Sequence, residues 1–185
     1  LGNMSLVELL LQGKTTTPAD LVKDLPGDNE AKAETIDNNI QHEIVKKMSS
    51  NSVYYGKLSE MLKKIIMQRK IEAMSYEEYL RQVVELAEAI LHPETSGSYP
   101  DEIKDSAARR ALYDYFEQNV ELTIDVDGAI RVSIQPEWKR NFQKQQRIRL
   151  AIYKKLLLHS YSEDKATEET NNVFDIAQRQ EEYDA

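Results

Sequence analysis

Apolar residues recur at three- and four-residue spacing over most of this chain, which is the period of one face of a helix. From about Glu30 to Met48 they are Ile36, Ile40, Ile44, Val45 and Met48. From Val53 to Ala73 they are Leu58, Met61, Leu62, Ile65 and Ile66. Tyr76 to Leu91 carries Tyr79, Leu80, Val83, Val84, Ala87, Ile90 and Leu91, and His92-Pro93 ends it. Asp101 to Gln118 follows with Ile103, Ala107, Ala111, Leu112, Tyr115 and Phe116. Two further helices are predicted at Asn141 to His159 and Asp164 to Tyr183. Start signals agree with these periods. Ser5-Leu-Val-Glu8 and Ser75-Tyr-Glu-Glu78 fit the capping box, and Thr17-Pro18-Ala19-Asp20 places a cap, a proline and an acid in order. Pro26-Gly27 is the predicted close of that short helix.

One segment obeys two periods. In Glu121-L-T-I-D-V-D-G-A-I-R-V-S-Ile134, the residues Leu122, Ile124, Val126, then Ile130, Val132 and Ile134 alternate around Asp127-Gly128, a strong two-residue hairpin signal. Leu122, Val126, Ala129, Ile130, Ser133 and Ile134 also satisfy helical spacing. A lone two-stranded hairpin is marginal in water and no third strand is evident. Gly128 and the β-branched residues weaken a helix by roughly 2 kcal/mol in total, which burial of one face can offset. Helix is favoured, with the hairpin as the alternative. The predicted fold class is therefore all-α, an irregular multi-helix bundle, with one β-hairpin near 121–134 as the variant. Turn-forming residues place the boundaries: a lead-in over 1–29, a helical subdomain over 30–92, a loop over 93–100 and a second helical subdomain over 101–185.

Charge adds a second pattern. The formal net charge is −8, against the basic balance expected of a dedicated nucleic-acid binder. Between Lys139 and Ser160 there is no acid, while Lys139, Arg140, Lys144, Arg147, Arg149, Lys154 and Lys155 are basic. From Ser162 to Ala185 the sign reverses, with eight acids against Lys165 and Arg179. Two readings stand: helices of opposite sign that face each other, or a basic surface used for binding. Lys139, Arg140, Lys144, Arg147, Arg149 and Lys154 are the candidate contacts for DNA or a partner. Trp138, which opens the run, is expected to anchor its turn on a neighbouring helix, with an exposed docking aromatic as the lesser reading.

Candidate chemistry is sparse. No phosphate-binding glycine loop, dinucleotide fingerprint or H-E-x-x-H occurs, and there is no cysteine to act as nucleophile or metal ligand. His42, His92 and His159 lie on separate segments without ligand spacing. Asp125 and Asp127 lack the further oxygens of a calcium loop. No catalytic, cofactor or metal residue is predicted. The paired tyrosines Tyr54-Tyr55, Tyr76 with Tyr79, and Tyr113 with Tyr115 are expected to bury their rings and send their hydroxyls to water or carbonyls. No apolar run is long enough to span a bilayer, and no secretory leader is read at the start, so a cytoplasmic location without membrane contact is expected. The opening without Met suggests an excised fragment.

Several short words then occur in a recognisable order: Ala31-K-A-E-T-I-D-N-N-Ile40, Tyr54-Y-G-K-L-S-E-M-Leu62 with Arg69, and Tyr76-E-E-Y-Leu80. Ala111-L-Y-Asp114, Glu121-Leu122 with Ala129-Ile-Arg131, Trp138-Lys-Arg-Asn141 and Asn172-V-F-D-I-A-Q-R-Q-E-E-Tyr183 continue them. From about residue 30 onward the chain resembles the C-terminal helical region of the restriction (R, motor) subunit of type I restriction–modification enzymes. The resemblance implies a non-catalytic module that supports an ATP-dependent DNA translocase and endonuclease and docks it onto the methyltransferase–specificity core. ATP, magnesium and the nuclease and helicase domains would then belong to upstream parts of a parent type I site-specific deoxyribonuclease, with no cofactor in this part. Duplex DNA is the other implied partner. The family's W-R-G-[ND] turn is here Trp138-Lys139-Arg140-Asn141, which puts the turn's geometry in doubt because Arg140 replaces the glycine.

Overall fold

The computed structural model describes residues 5–12 and 17–185; residues 1–4 and 13–16, part of the predicted lead-in over 1–29, lie outside the described residues. Helix makes up 76 % of the structure, and among the described residues there are eleven α-helices and no strand. They run α1 Leu6–Leu11, α2 Pro18–Leu21, α3 Asn29–Lys47, α4 Ser52–Lys70, α5 Tyr76–Leu91 and α6 Pro93–Ser96, then α7 Asp101–Lys104, α8 Ala107–Tyr115, α9 Val120–Ser133, α10 Phe142–Leu158 and α11 Glu163–Gln178. Two short 3-10 turns, Trp138–Arg140 and Glu181–Tyr183, complete the list of elements.

The described residues form two compact units. One is built from Leu1–Met48 and Tyr54–Ser98, the other from Ser49–Val53 and Tyr99–Ala185. The segment predicted as a separate lead-in packs within the first unit, where α1 contacts α3 and α5, and the Ser49–Val53 turn clusters with the second unit. In the first unit, Ile36, Ile40 and Ile44 of α3 bury beside Leu58, Leu62 and Ile65 of α4 and Leu80, Val83 and Ile90 of α5. These are the residues that set the helical period in the sequence. Two tyrosine hydroxyls of this unit find carbonyls, Tyr54 donating to Ala89 at 2.7 Å and Tyr79 to Ala33 at 3.0 Å, whereas the buried Tyr76 hydroxyl has no hydrogen-bond partner among the described residues. In the second unit the core joins Leu122, Val126 and Ile130 of α9, Ile148, Ile152 and Leu156 of α10, and Val173, Phe174 and Ala177 of α11.

The caps explain where the helices start. Ser5 and Glu8 close a reciprocal box, Ser5 N–H donating to Glu8 at 2.8 Å and Glu8 N–H to Ser5 Oγ at 3.2 Å. Ser75 makes only half of its box, because the Glu78 carboxylate turns outward to Arg81 and Gln82. The single helix predicted over Asp101–Gln118 is two, since Ser106 leaves the helical path and accepts the Arg109 N–H at 3.1 Å to start α8. The predicted loop over 93–100 contains the one-turn helix α6, with Pro93 at its first position. The short helix after Thr17 ends at Leu21, well before Pro26-Gly27, and Gly27 takes φ +93°. A Cβ there would lie 2.6 Å from that of Ala31, so both backbone and packing require glycine.

Residues 120–133 are one helix, α9, and the hairpin alternative does not form. The helical face made by Leu122, Val126 and Ile130 is buried in the core, and Asn119 caps it by accepting the Leu122 N–H at 3.0 Å. An isolated hairpin would have left that face without a third layer. Gly128 sits in mid-helix without a positive φ, and a Cβ added there would meet nothing within 4 Å. Neither the backbone nor the chain's own packing needs glycine at this position. Gly128→Ala is therefore expected to stabilise the fold by about 1 kcal/mol, the helix-propensity difference, measured as a rise in urea midpoint at unchanged slope.

Candidate functional site

The basic run begins in the turn between α9 and α10. Glu137 takes φ 59° and is the turn's left-handed residue; Arg140 lies in the 3-10 turn and needs no positive φ. The absent glycine at 140 is thus accommodated by placing the unusual conformation three residues earlier. Trp138 is buried, with its ring 5.8 Å from that of Phe174 on α11 at an interplanar angle of 72°, and its indole N–H donates to the Tyr183 carbonyl at 2.6 Å. Residues after α11 return across this turn. Lys139 donates to the Gln180 carbonyl at 3.0 Å and pairs with the Asp184 carboxylate, while Glu137 N–H donates to the Ala185 carbonyl at 3.0 Å.

Beneath the returning segment lies a carboxylate with no exposed surface, that of Asp127 on α9. It accepts from Arg109 Nε at 2.8 Å, from Arg131 Nε at 2.9 Å and from the Tyr183 hydroxyl at 2.6 Å. Arg131 continues to Glu182 at 2.8 Å, and Glu182 also accepts from Ser106 Oγ at 2.7 Å and Ala108 N–H at 3.1 Å. Burial pushes the Asp127 carboxyl up, but the bonds from Arg131, Tyr183 and Arg109 outweigh it and hold the group below the usual carboxylate range. Glu182 is shifted the same way, with burial again opposed by Ser106, Arg131 and the Ala108 amide. Asp127 therefore serves as a clasp rather than a cation ligand. Asp125, its sequence neighbour, faces His159 Nε2 at 2.7 Å. Among the described residues no three His, Cys, Asp or Glu side chains gather as a metal site requires.

The six basic candidates separate into two groups. Lys139 and Lys144 are used by the turn, Lys144 donating to the Pro136 carbonyl at 2.6 Å, and Arg149 bonds Asn171 with its guanidinium 3.9 Å from the Phe174 ring centre. Arg140, Arg147 and Lys154 are exposed and make no side-chain hydrogen bond or ion pair among the described residues. Among the described residues no ion pair joins α10 to α11; their contact is mainly apolar, from Ile148, Ile152 and Leu156 to Val173, Phe174 and Ala177, with Arg149 reaching Asn171 at its edge. Lys139 with Asp184, beyond the ends of both helices, is the ion pair that joins the two blocks.

The exposed face of α10 carries more than charge. Leu150 and Leu158 are 52 % and 75 % exposed, and Phe142 and Leu157 are exposed as well. On α9, Val132 is 84 % exposed. Between the two helices lies an open groove of about 490 Å³, with Gly128, Ala129 and Ala151 among its small residues, Ile124 and Val132 on one side and Lys154 on the other. The cations are legible in the sequence but this groove is not, because nothing local distinguishes exposed Leu150, Leu157 and Leu158 from buried Ile148, Ile152 and Leu156.

At pH 7 Asp127→Ala is expected to destabilise the second unit by about 3 kcal/mol, the low end for breaking a buried pair, because Arg109 and Arg131 are 34 % and 38 % exposed and can rehydrate. The lowered Asp127 and Glu182 values give stability that is fully present above their unfolded values, near 4, and is lost as pH falls through the folded ones. Urea midpoints recorded from pH 7 down to pH 3 should fall steeply for the native chain and less steeply for Asp127→Asn. No family model, curated protein or solved structure matches the chain.

Proposed function

We propose that this chain is a non-catalytic helical docking module, of the kind that the resemblance implies at the C-terminal end of a type I restriction motor subunit. Its role would be to hold an ATP-dependent DNA translocase and endonuclease against the methyltransferase–specificity core in the cytoplasm. The observation that carries the reading is the outward face of α10, where Arg147 and Lys154, without a hydrogen-bond or ion-pair partner among the described residues, stand beside exposed Leu150, Leu157 and Leu158. Exposed leucines interleaved with free cations suit a protein surface better than a polyphosphate backbone, which gains nothing from the leucines. The clasp around Asp127 supports the same reading, since it fixes α9 and the α9–α10 turn from which that face is built. No helix among the described residues is long and apolar enough to cross a membrane.

Direct binding of duplex DNA is the second reading, favoured by exposed Arg140, Arg147 and Lys154, which make no ion pair among the described residues. The two separate cleanly. A purified methyltransferase–specificity core from the same source is expected to co-elute with the chain at about 150 mM salt, a concentration at which a labelled duplex stays unbound. Loss of co-elution would overturn docking. Duplex binding whose log K falls by about 0.9 per neutralised phosphate against log salt would establish the second reading.

A further inference from the structure

From the α9–α10 groove we infer the chemical class of the docking partner: an acidic amphipathic helix of the partner protein, seated with its apolar row over Gly128, Ala129 and Ala151 and its carboxylates against Lys154 and Lys155. Arg147 stands one turn before Ala151 on the same helix. The inference rests on the docking reading and extends it to one surface and one kind of occupant. Three features of the α9–α10 pair converge on it; of its large exposed apolar residues, Val132 lines the groove and the rest lie on α10 outside its lining.

The first is the unexplained glycine. Gly128 weakens α9, yet apart from its chain neighbours and its own helix backbone nothing among the described residues lies within 4 Å of where its Cβ would be, and its backbone is ordinary helix. A residue that its own fold does not require becomes intelligible when something outside the chain approaches there closely. The second is the placement of apolar surface. In the second unit the large exposed apolar side chains are Val132, Phe142, Leu150, Leu157 and Leu158, and all of them lie on α9 and α10. Such clustering on one helix pair marks an interaction surface, whereas single exposed leucines scattered over a protein mean little.

The third feature is charge, and it selects the occupant. Arg147, Lys154 and Lys155 make no ion pair among the described residues. Asp125, the one acid lining the groove, is already engaged by His159 at 2.7 Å. A concave groove about 490 Å³ in volume with basic flanks is complementary to an apolar row flanked by carboxylates, read at i, i+3, i+4 and i+7. A flat bilayer surface does not enter a concavity floored by Gly128 and Ala129. Duplex DNA would meet the cations but leave Leu150, Leu157 and Leu158 against phosphates.

Because the chain contains no cysteine, a single introduced thiol reports one position only. Ser133→Cys at the groove's edge, bearing a benzophenone, is compared with Glu34→Cys on α3, each in the full chain mixed with the purified methyltransferase–specificity core and a duplex. The expected result is a photocrosslink from position 133, and none from 34, to one segment of the core whose sequence is an acidic amphipathic helix. Gly128→Leu should fold normally by circular dichroism and bind the core at least tenfold more weakly, and Arg147→Glu with Lys154→Glu should do the same. Co-elution of the native chain without a crosslink at 133, and with full affinity in Gly128→Leu, would overturn the groove while leaving docking intact. A crosslink to the duplex, or to a basic segment of the core, would overturn it as well. Failure of the native chain to bind the core at all removes both readings together.

Discussion

The second unit turns on a single buried negative charge. The Asp127 carboxylate sits in the interior of a helical bundle, where an uncompensated ion would cost several kcal/mol, and it is satisfied by two guanidinium groups and a phenol drawn from three separate segments. Arg109 comes from α8, Arg131 from the next turn of α9, and Tyr183 from the segment that follows α11. Arg109 and Tyr183 each fix one segment at hydrogen-bonding distance from α9, while Arg131 braces the carboxylate from within the same helix. Apolar burial supplies most of the drive to collapse but tolerates many arrangements. The clasp has few geometrically acceptable alternatives, so it selects one arrangement among those that bury the same surface.

The first unit uses the same device with other residues. Asp37 of α3 accepts from Arg69 of α4 and from the Tyr79 hydroxyl of α5, each at 2.6 Å, and the Arg69 guanidinium lies 5.2 Å from the Tyr79 ring centre. Arg131 stands at the same 5.2 Å from the Tyr183 ring. In both units an aspartate is therefore held by an arginine and a tyrosine that also contact one another. The phenol matters chemically. Burial pushes both tyrosine hydroxyls upward, which keeps them protonated and hence donors to the carboxylate at every pH the fold survives. In the second unit, with Arg always charged, Asp127 and Glu182 are the members of the clasp whose protonation can break it.

The helices were legible in the sequence because their cores are made by residues at regular spacing: Ile36, Ile40 and Ile44, or Leu122, Val126 and Ile130. Segment 121–134 was ambiguous for a physical reason. Its apolar residues satisfy both periods, and only the layers available to receive the buried face decide between them. Local chemistry that competes with periodicity was harder to see. Ser106 interrupts an apolar pattern that runs straight through it, and the helix ends at Gln178 although the following residues continue the composition of α11. The clasps were not visible either. Asp127 and Arg131 stand at the i,i+4 spacing of an ordinary surface pair, and nothing local shows that Tyr183 will return to bury one of them. The two oppositely charged blocks do form helices that face each other, α10 and α11, but they meet mainly through apolar residues rather than through ion pairs.

That last difference gives the basic run its meaning. Had α10 and α11 been matched charge to charge, the positive block would have been consumed inside the fold. Instead Lys139, Lys144 and Arg149 are taken up by the turn, the returning segment and Phe174, while Arg140, Arg147 and Lys154 remain outside. An exposed cation contributes little to stability, and a row of exposed leucines beside it contributes less than nothing to solubility. The fold holds this combination rigidly, because α9 is locked through Asp127 and α10 is seated through Ile148, Ile152 and Leu156. A surface that is poor for the isolated chain, yet built on two helices seated in the core, is the one on which the proposed docking rests.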